Sequence, residues 1–181
     1  MIKTSLLAAL GVLALSTSPS SAHAGGQADS LGVGAEYMMN GFTGGASVNY
    51  DLGNIHFGGF LSFVDTGDDS DDTTDYSIGG RVYYHLHSTA MSDFGIGGGF
   101  GFYSDQVRAG GDTERFTYMF LEPGVQIRAF VTSNVALSFT LGIVLALQDA
   151  KGVAFTGGVI DNSNGIGGGV NAGAGIHYYF F

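Results

Sequence analysis

Residues 134–149 read NVALSFTLGIVLALQD, and the fold turns on how this stretch is read. Its apolar core, the thirteen residues Val135 to Leu147, is shorter than the ~20 residues a spanning helix needs. The order of residues is more informative than the length. Val135, Leu137, Phe139, Leu141, Ile143, Leu145 and Leu147 take every second place. Ala136, Ser138, Thr140, Gly142, Val144, Ala146 and Gln148 take the places between. A helix, turning ~100° per residue, would scatter both sets around its axis, whereas a strand puts one on each face. The stretch is therefore expected to be a strand with one strongly apolar face and one small, mostly polar face.

The rest of the chain has the same period. Eight strands are expected, at about 31–40, 44–52, 54–65, 75–87, 93–104, 114–131, 134–148 and 165–181. In the third, Ile55, Phe57, Leu61 and Phe63 oppose His56 and Ser62. In the fourth, Tyr76, Ile78, Val82, Tyr84 and Leu86 oppose Ser77, Arg81 and His85. In the sixth, Met119, Leu121, Val125, Ile127 and Ala129 oppose Glu122, Gln126 and Arg128. The connections alternate too. LGN, HSTAMS and TSN are short, whereas TGDDSDDTT, YSDQVRAGGDTE and DAKGVAFTGGVIDNSN are long. GFTG is the one short connection in a long position.

Composition narrows the class. The chain has 181 residues, 32 of them glycine, two proline and none cysteine. Without cysteine, no disulfide staples the fold. Its formal charge of −10 argues against a nucleic-acid partner, which wants a basic face. A soluble β-sandwich or lipocalin-like barrel also alternates, but its polar faces form the surface and want about a quarter to a third charged residues. Here the polar faces carry few charges. Aromatic residues instead gather near strand ends on the apolar faces: Tyr84, Phe94, Tyr178 and Phe180 toward one rim, Tyr37, Phe63, Tyr76 and Phe102 toward the other. Girdles of this kind mark membrane interfaces.

The two ends carry addresses. Residues 1–24 have a basic start at Lys3, an apolar segment SLLAALGVLAL and the small-x-small pair Ala22 and Ala24. This is the pattern of a cleaved export signal, with cleavage expected after Ala24 and residues 25–181 left as one domain. The chain closes on GIHYYFF, an alternating strand ending in Phe181. With that ending and its eight alternating strands, the sequence resembles the small outer-membrane barrels of the OmpA membrane domain and OmpX type. The resemblance implies an all-β fold: a closed, antiparallel, up-and-down transmembrane barrel of eight strands in the Gram-negative outer membrane. It also implies contact with outer-membrane lipid and lipopolysaccharide, and recognition of the C-terminal strand by the barrel assembly machinery. Short turns then face the periplasm and the acidic loops face outward. Val135, Leu137, Phe139, Leu141, Ile143 and Leu145 face lipid.

Function is read from the inner wall and the loops. Alternation places Glu36, Arg81, Glu122 and Arg128 inward, a neutral set expected to form a lumenal ion-pair network. Gly95, Gly97, Gly99 and Gly101 line one wall and leave room for Phe60, Tyr83, Tyr103 and Tyr118. No helix follows their G-x-G-x-x-G spacing, so a nucleotide site is excluded. The run Asp68, Asp69, Asp71 and Asp72 offers oxygen ligands for weak divalent binding, but lacks the EF-hand spacing; a solvated loop is the expectation. No other cofactor is expected. His56, His85, His87 and His177 fall toward the short-turn rim without a catalytic spacing, and His85 and His87 are placed on one strand face. The expectation is a structural or surface-interaction protein without enzymatic activity or catalytic residues. The alternatives are a narrow pore or small-ligand channel and, third, a lipid A-modifying enzyme.

Overall fold

A computed structural model describes residues 27–38, 43–65, 74–109, 112–147 and 169–180. Eight strands form one closed antiparallel barrel in chain order. They are β1 (Ser30–Met38), β2 (Thr43–Asp51), β3 (Ile55–Asp65), β4 (Thr74–Ser88), β5 (Ser92–Ala109), β6 (Asp112–Phe130), β7 (Val135–Ala146) and β8 (Gly169–Phe180). β8 closes the ring on β1, with Ala35 opposite Ile176 and Leu31 opposite Phe180. Closure removes the free edges that an isolated sheet would expose.

The barrel is apolar outside and polar inside. On β7, Phe139, Leu141 and Ile143 are exposed on the outer wall, while Ala136, Ser138 and Val144 are buried. Leu31, Val48, Leu61, Ile78, Val82, Ile96, Ile127 and Ile176 extend the outer surface round the other strands. Tyr84, Phe94 and Phe180 stand exposed toward the short-turn rim, and Tyr37, Phe63, Tyr76 and Phe102 toward the other. Tyr178 packs edge-on against Phe180, ring centroids 5.0 Å apart. The inner wall carries the buried Ser47, Asn49, His56, Ser62, Glu122, Gln126, Arg128 and His177.

Local chemistry sets the turns. Between β2 and β3, Gly53 has a φ of 81°, a left-handed conformation that glycine adopts without a Cβ clash. It lies in the three-residue connection 52–54, which the Leu52 N–H closes by donating to the Ile55 carbonyl at 2.8 Å. The connection after β4 is held by Thr89, whose hydroxyl accepts from the backbone N–H groups of Met91 and Ser92.

Two expectations are corrected. The stretch 103–114, expected as a long loop, is mostly strand: β5 and β6 stay paired as far as Ala109 opposite Asp112. Only Gly110 and Gly111 lie between the strands, and Gly-Gly is itself a hairpin signal. His85 and His87 do not share a face. The β4–β5 register shifts between them, so His85 stays buried while His87 is exposed opposite Phe94. One extra residue in a strand inverts the alternation beyond it. The expected signal at 1–24, the acidic run Asp68, Asp69, Asp71 and Asp72, and Phe181 lie outside the described residues.

Candidate functional site

The interior is filled in layers. The glycines of β5 explain how so narrow a barrel holds large side chains. A Cβ on Gly97 would run into the Val82 carbonyl oxygen of β4, and one on Gly101 would come within 2.6 Å of the Ile78 carbonyl oxygen and 3.0 Å of the Phe120 ring. Bare backbone on this wall thus lets β4 approach closely and leaves room for the Phe120 ring of the neighbouring β6, as expected for packing.

The layer nearest the short-turn rim centres on Arg128 of β6, which is 1% exposed. Its guanidinium donates to both oxygens of Asp51 on β2, at 2.7 and 2.9 Å. It also donates to Asp93 of β5 at 2.8 Å and to the Tyr179 hydroxyl of β8 at 2.9 Å. Four strands are tied through one planar donor fork, a geometry that lysine could not reproduce. The His85 Nε2 lies 3.2 Å from the same guanidinium. Asn49 of β2 links onward to His56 Nε2 at 3.0 Å.

The middle layer is built on Glu36 of β1, which forms an ion pair with Arg81 of β4. His177 of β8 places its Nε2 3.3 Å from Glu36 Oε1 and 2.6 Å from the Ser47 hydroxyl. Glu122 of β6 accepts a hydrogen bond from the Asn171 amide at 3.1 Å. Above this layer Phe60 and Phe120 stack with centroids 6.3 Å apart, joined by Val144 and Tyr103. The Arg81 guanidinium sits 4.6 Å over the Phe60 ring, which couples the ionic layer to the aromatic one. Ser62 and Ser77 bond to each other farther along the same strands, at 2.6 Å.

All four charged residues expected inside are on the inner wall, but only Glu36 and Arg81 meet each other. Arg128 pairs with Asp51 and Asp93 rather than with a glutamate, and Glu122 bonds to an amide. The inner wall is also not neutral. Asp51 and Asp93 join Glu36 and Glu122, so in these two layers four acids face two arginines. Asp51 was legible, since it continues the inward positions of Ser47 and Asn49 by twos. The partnership of Arg128 was not, because it depends on how eight strands close. Tyr118, expected as lumenal bulk, has no described side chain.

The Ser47–His177–Glu36 contact resembles a nucleophile–base–acid arrangement but lacks its geometry. A relay needs the serine and the acid on opposite ring nitrogens. Here both approach Nε2, and Nδ1 is buried without a hydrogen-bond partner.

The sequence matches no protein-family model and no curated protein. Similarity appears among solved structures. The N-terminal β-barrel domain of Pseudomonas aeruginosa OprF superposes with a TM-score of 0.61 at 15% identity, over 86% of this chain and 99% of that one. Neisserial surface protein A superposes with a TM-score of 0.53 at 19% identity, over 83% of this chain and 96% of that one. Both are small eight-stranded outer-membrane barrels. The likeness is one of fold.

Proposed function

We propose that the protein is an integral outer-membrane barrel, exported by residues 1–24, with a plugged lumen and a structural or surface-interaction role. The observation that carries this reading is the inverted distribution of polarity. An apolar outer wall with aromatic rims suits hydrocarbon, and in hydrocarbon only a closed barrel or a helix satisfies every backbone group. A water-exposed barrel would have the opposite faces. The stacked Phe60 and Phe120 over the Arg81–Glu36 pair support a plug in place of a water path. In this reading the partners are membrane lipid and lipopolysaccharide, met by the outer wall, and a surface partner met by the loops. The acidic run at 68–72 is a solvated, weakly cation-binding loop, and the protein carries out no catalysis.

The test has two arms. Refolded protein in a planar bilayer is expected to be electrically silent; large, steady currents would put the pore reading first. An epitope inserted after Asp69 is expected to label on intact cells. Labelling only after the outer membrane is opened would reverse the orientation.

A further inference from the structure

Asp51, His56 and His85 each offer one ligand atom, and these atoms lie within 4.8 Å of one another. All three residues are buried, His56 to 1% exposure. They come from three adjacent strands. Asp51 is the last residue of β2, His56 lies just across the hairpin on β3, and His85 precedes the bulge of β4.

The hydrogen bonds around the two imidazoles suit one assignment of their protons. His56 Nε2 is 3.0 Å from the Asn49 side-chain oxygen, which can only accept, so Nε2 carries the proton. The Asn49 amide nitrogen points the other way, 3.5 Å from the Tyr179 hydroxyl. His56 Nδ1 is thereby left with a lone pair, buried and without a hydrogen-bond partner. His85 Nδ1 is 3.0 Å from the Gly53 carbonyl and donates to it. Its Nε2 therefore also bears a lone pair. Metal-binding histidines are held in this way, with one nitrogen donating to an oxygen and the other bare.

The neighbouring guanidinium offers a simpler account: Arg128 is itself the cation of this cluster. That account covers Asp51, at 2.7 and 2.9 Å, and His85, at 3.2 Å. It does not cover His56 Nδ1. Arg128 also holds a second carboxylate, Asp93, at 2.8 Å, so it keeps a counter-ion if Asp51 turns away.

We propose that Asp51, His56 and His85 form a binding site for one divalent transition-metal cation of the zinc class, which competes with Arg128 for the Asp51 carboxylate. Two imidazoles and one carboxylate suit zinc, copper or nickel and do not suit calcium or magnesium, which want oxygen. Tetrahedral ligation at about 2.0–2.2 Å needs donor atoms about 3.4 Å apart. The ligands therefore draw together on binding, and release of Asp51 from the guanidinium supplies that movement. The cation enters from the short-turn rim, where Gly53 borders the site. Three protein ligands leave a fourth position open to water. The inference does not depend on whether the barrel conducts or adheres.

The experiment titrates Zn²⁺ alone into refolded protein, and Cu²⁺ for electron paramagnetic resonance. One equivalent is expected to bind, with Cu²⁺ showing coupling to two nitrogens. His56→Gln and His85→Gln should each weaken Zn²⁺ binding about tenfold or more and reduce the coupling to one nitrogen. His87→Gln should change neither. Arg128→Gln removes the competitor and should tighten binding about tenfold. It should also make Zn²⁺ raise the melting temperature more than in the parent. Two outcomes overturn the proposal: no binding by the parent and Arg128→Gln at millimolar Zn²⁺, or affinity that survives both histidine changes. If a variant fails to fold, the Cu²⁺ spectrum of the unaltered protein decides, since a signal without two nitrogens excludes the site.

Discussion

Arg81 and Glu36 show what one buried pair does in this barrel. Each is held in a narrow interior where an unpaired charge has little water to turn to. Removing one partner is therefore expected to cost more than removing both. Arg81→Met alone should destabilise the barrel by about 3–5 kcal/mol, because Glu36 loses its guanidinium partner and keeps only the His177 contact. Adding Glu36→Leu should recover part of that loss. Urea unfolding from lipid vesicles measures Arg81→Met, Glu36→Leu and the double change, and a double change as costly as the sum of the singles would show that the pair is not coupled. The inward position of these two residues is legible from alternation alone. Their meeting is not, because β1 and β4 are not neighbours and the contact crosses the lumen. The same limit applies to Arg128. Its partners Asp51 and Asp93 lie on β2 and β5, and only β5 is a neighbour of β6, so the meeting with Asp51 depends on how the ring closes. His87 marks a different limit: one bulged residue reverses its face, and nothing in HLHST announces the bulge.

β7 is the element most fully legible in sequence. Period-two alternation sorts Leu141 outward, at 52% exposure, and leaves Thr140 half-buried on the inner side. The pattern is strong because lipid and lumen impose opposite demands on neighbouring residues. Leu141→Arg is expected to cost roughly 2–4 kcal/mol, the penalty for a cation near the hydrocarbon midplane. Thr140→Arg meets a different obstacle, since Thr140 Oγ1 lies 2.6 Å from the place of a Cβ on Gly173. Its penalty should depend on crowding and so be relieved little by a thinner bilayer, whereas that of Leu141→Arg should fall as the bilayer thins. Unfolding in vesicles of two thicknesses separates the two effects; identical responses would contradict the assigned faces. The β5–β6 hairpin was less legible than β7. Its outer part, YSDQVRAGGDTE, mixes charge and glycine in a way that reads as loop, yet Gln106 pairs with Arg115 and Val107 with Glu114. Cross-strand partners there include the Arg115 guanidinium bonded to the Gln106 amide oxygen at 2.8 Å and to the Ser104 hydroxyl at 3.1 Å. Pairing across the sheet overrides a loop-like composition.

At the scale of the whole barrel, the proposed plug consists of barriers in series. One is ionic: Arg128 with Asp51 and Asp93, then Arg81 with Glu36. The other is aromatic: Phe60 stacked on Phe120 beside Val144. An eight-stranded barrel has an interior just wide enough for its own side chains, so each layer can close the lumen by itself. Opening one layer should then leave the other shut. Phe120→Ala is expected to create a local void, to destabilise the barrel by about 3–5 kcal/mol, and still to conduct no ions. Replacing Arg81 and Glu36 together by alanine should likewise stay silent, because the phenyl rings remain. Combining Phe120→Ala with the two ionic changes and with Arg128→Ala opens all three layers, and brief, small currents should then appear above those of either parent variant. Single-channel recording of the three proteins beside the unaltered barrel tests the series. Currents from Phe120→Ala alone would mean that the aromatic layer is the whole barrier and that water already reaches past the ion pairs.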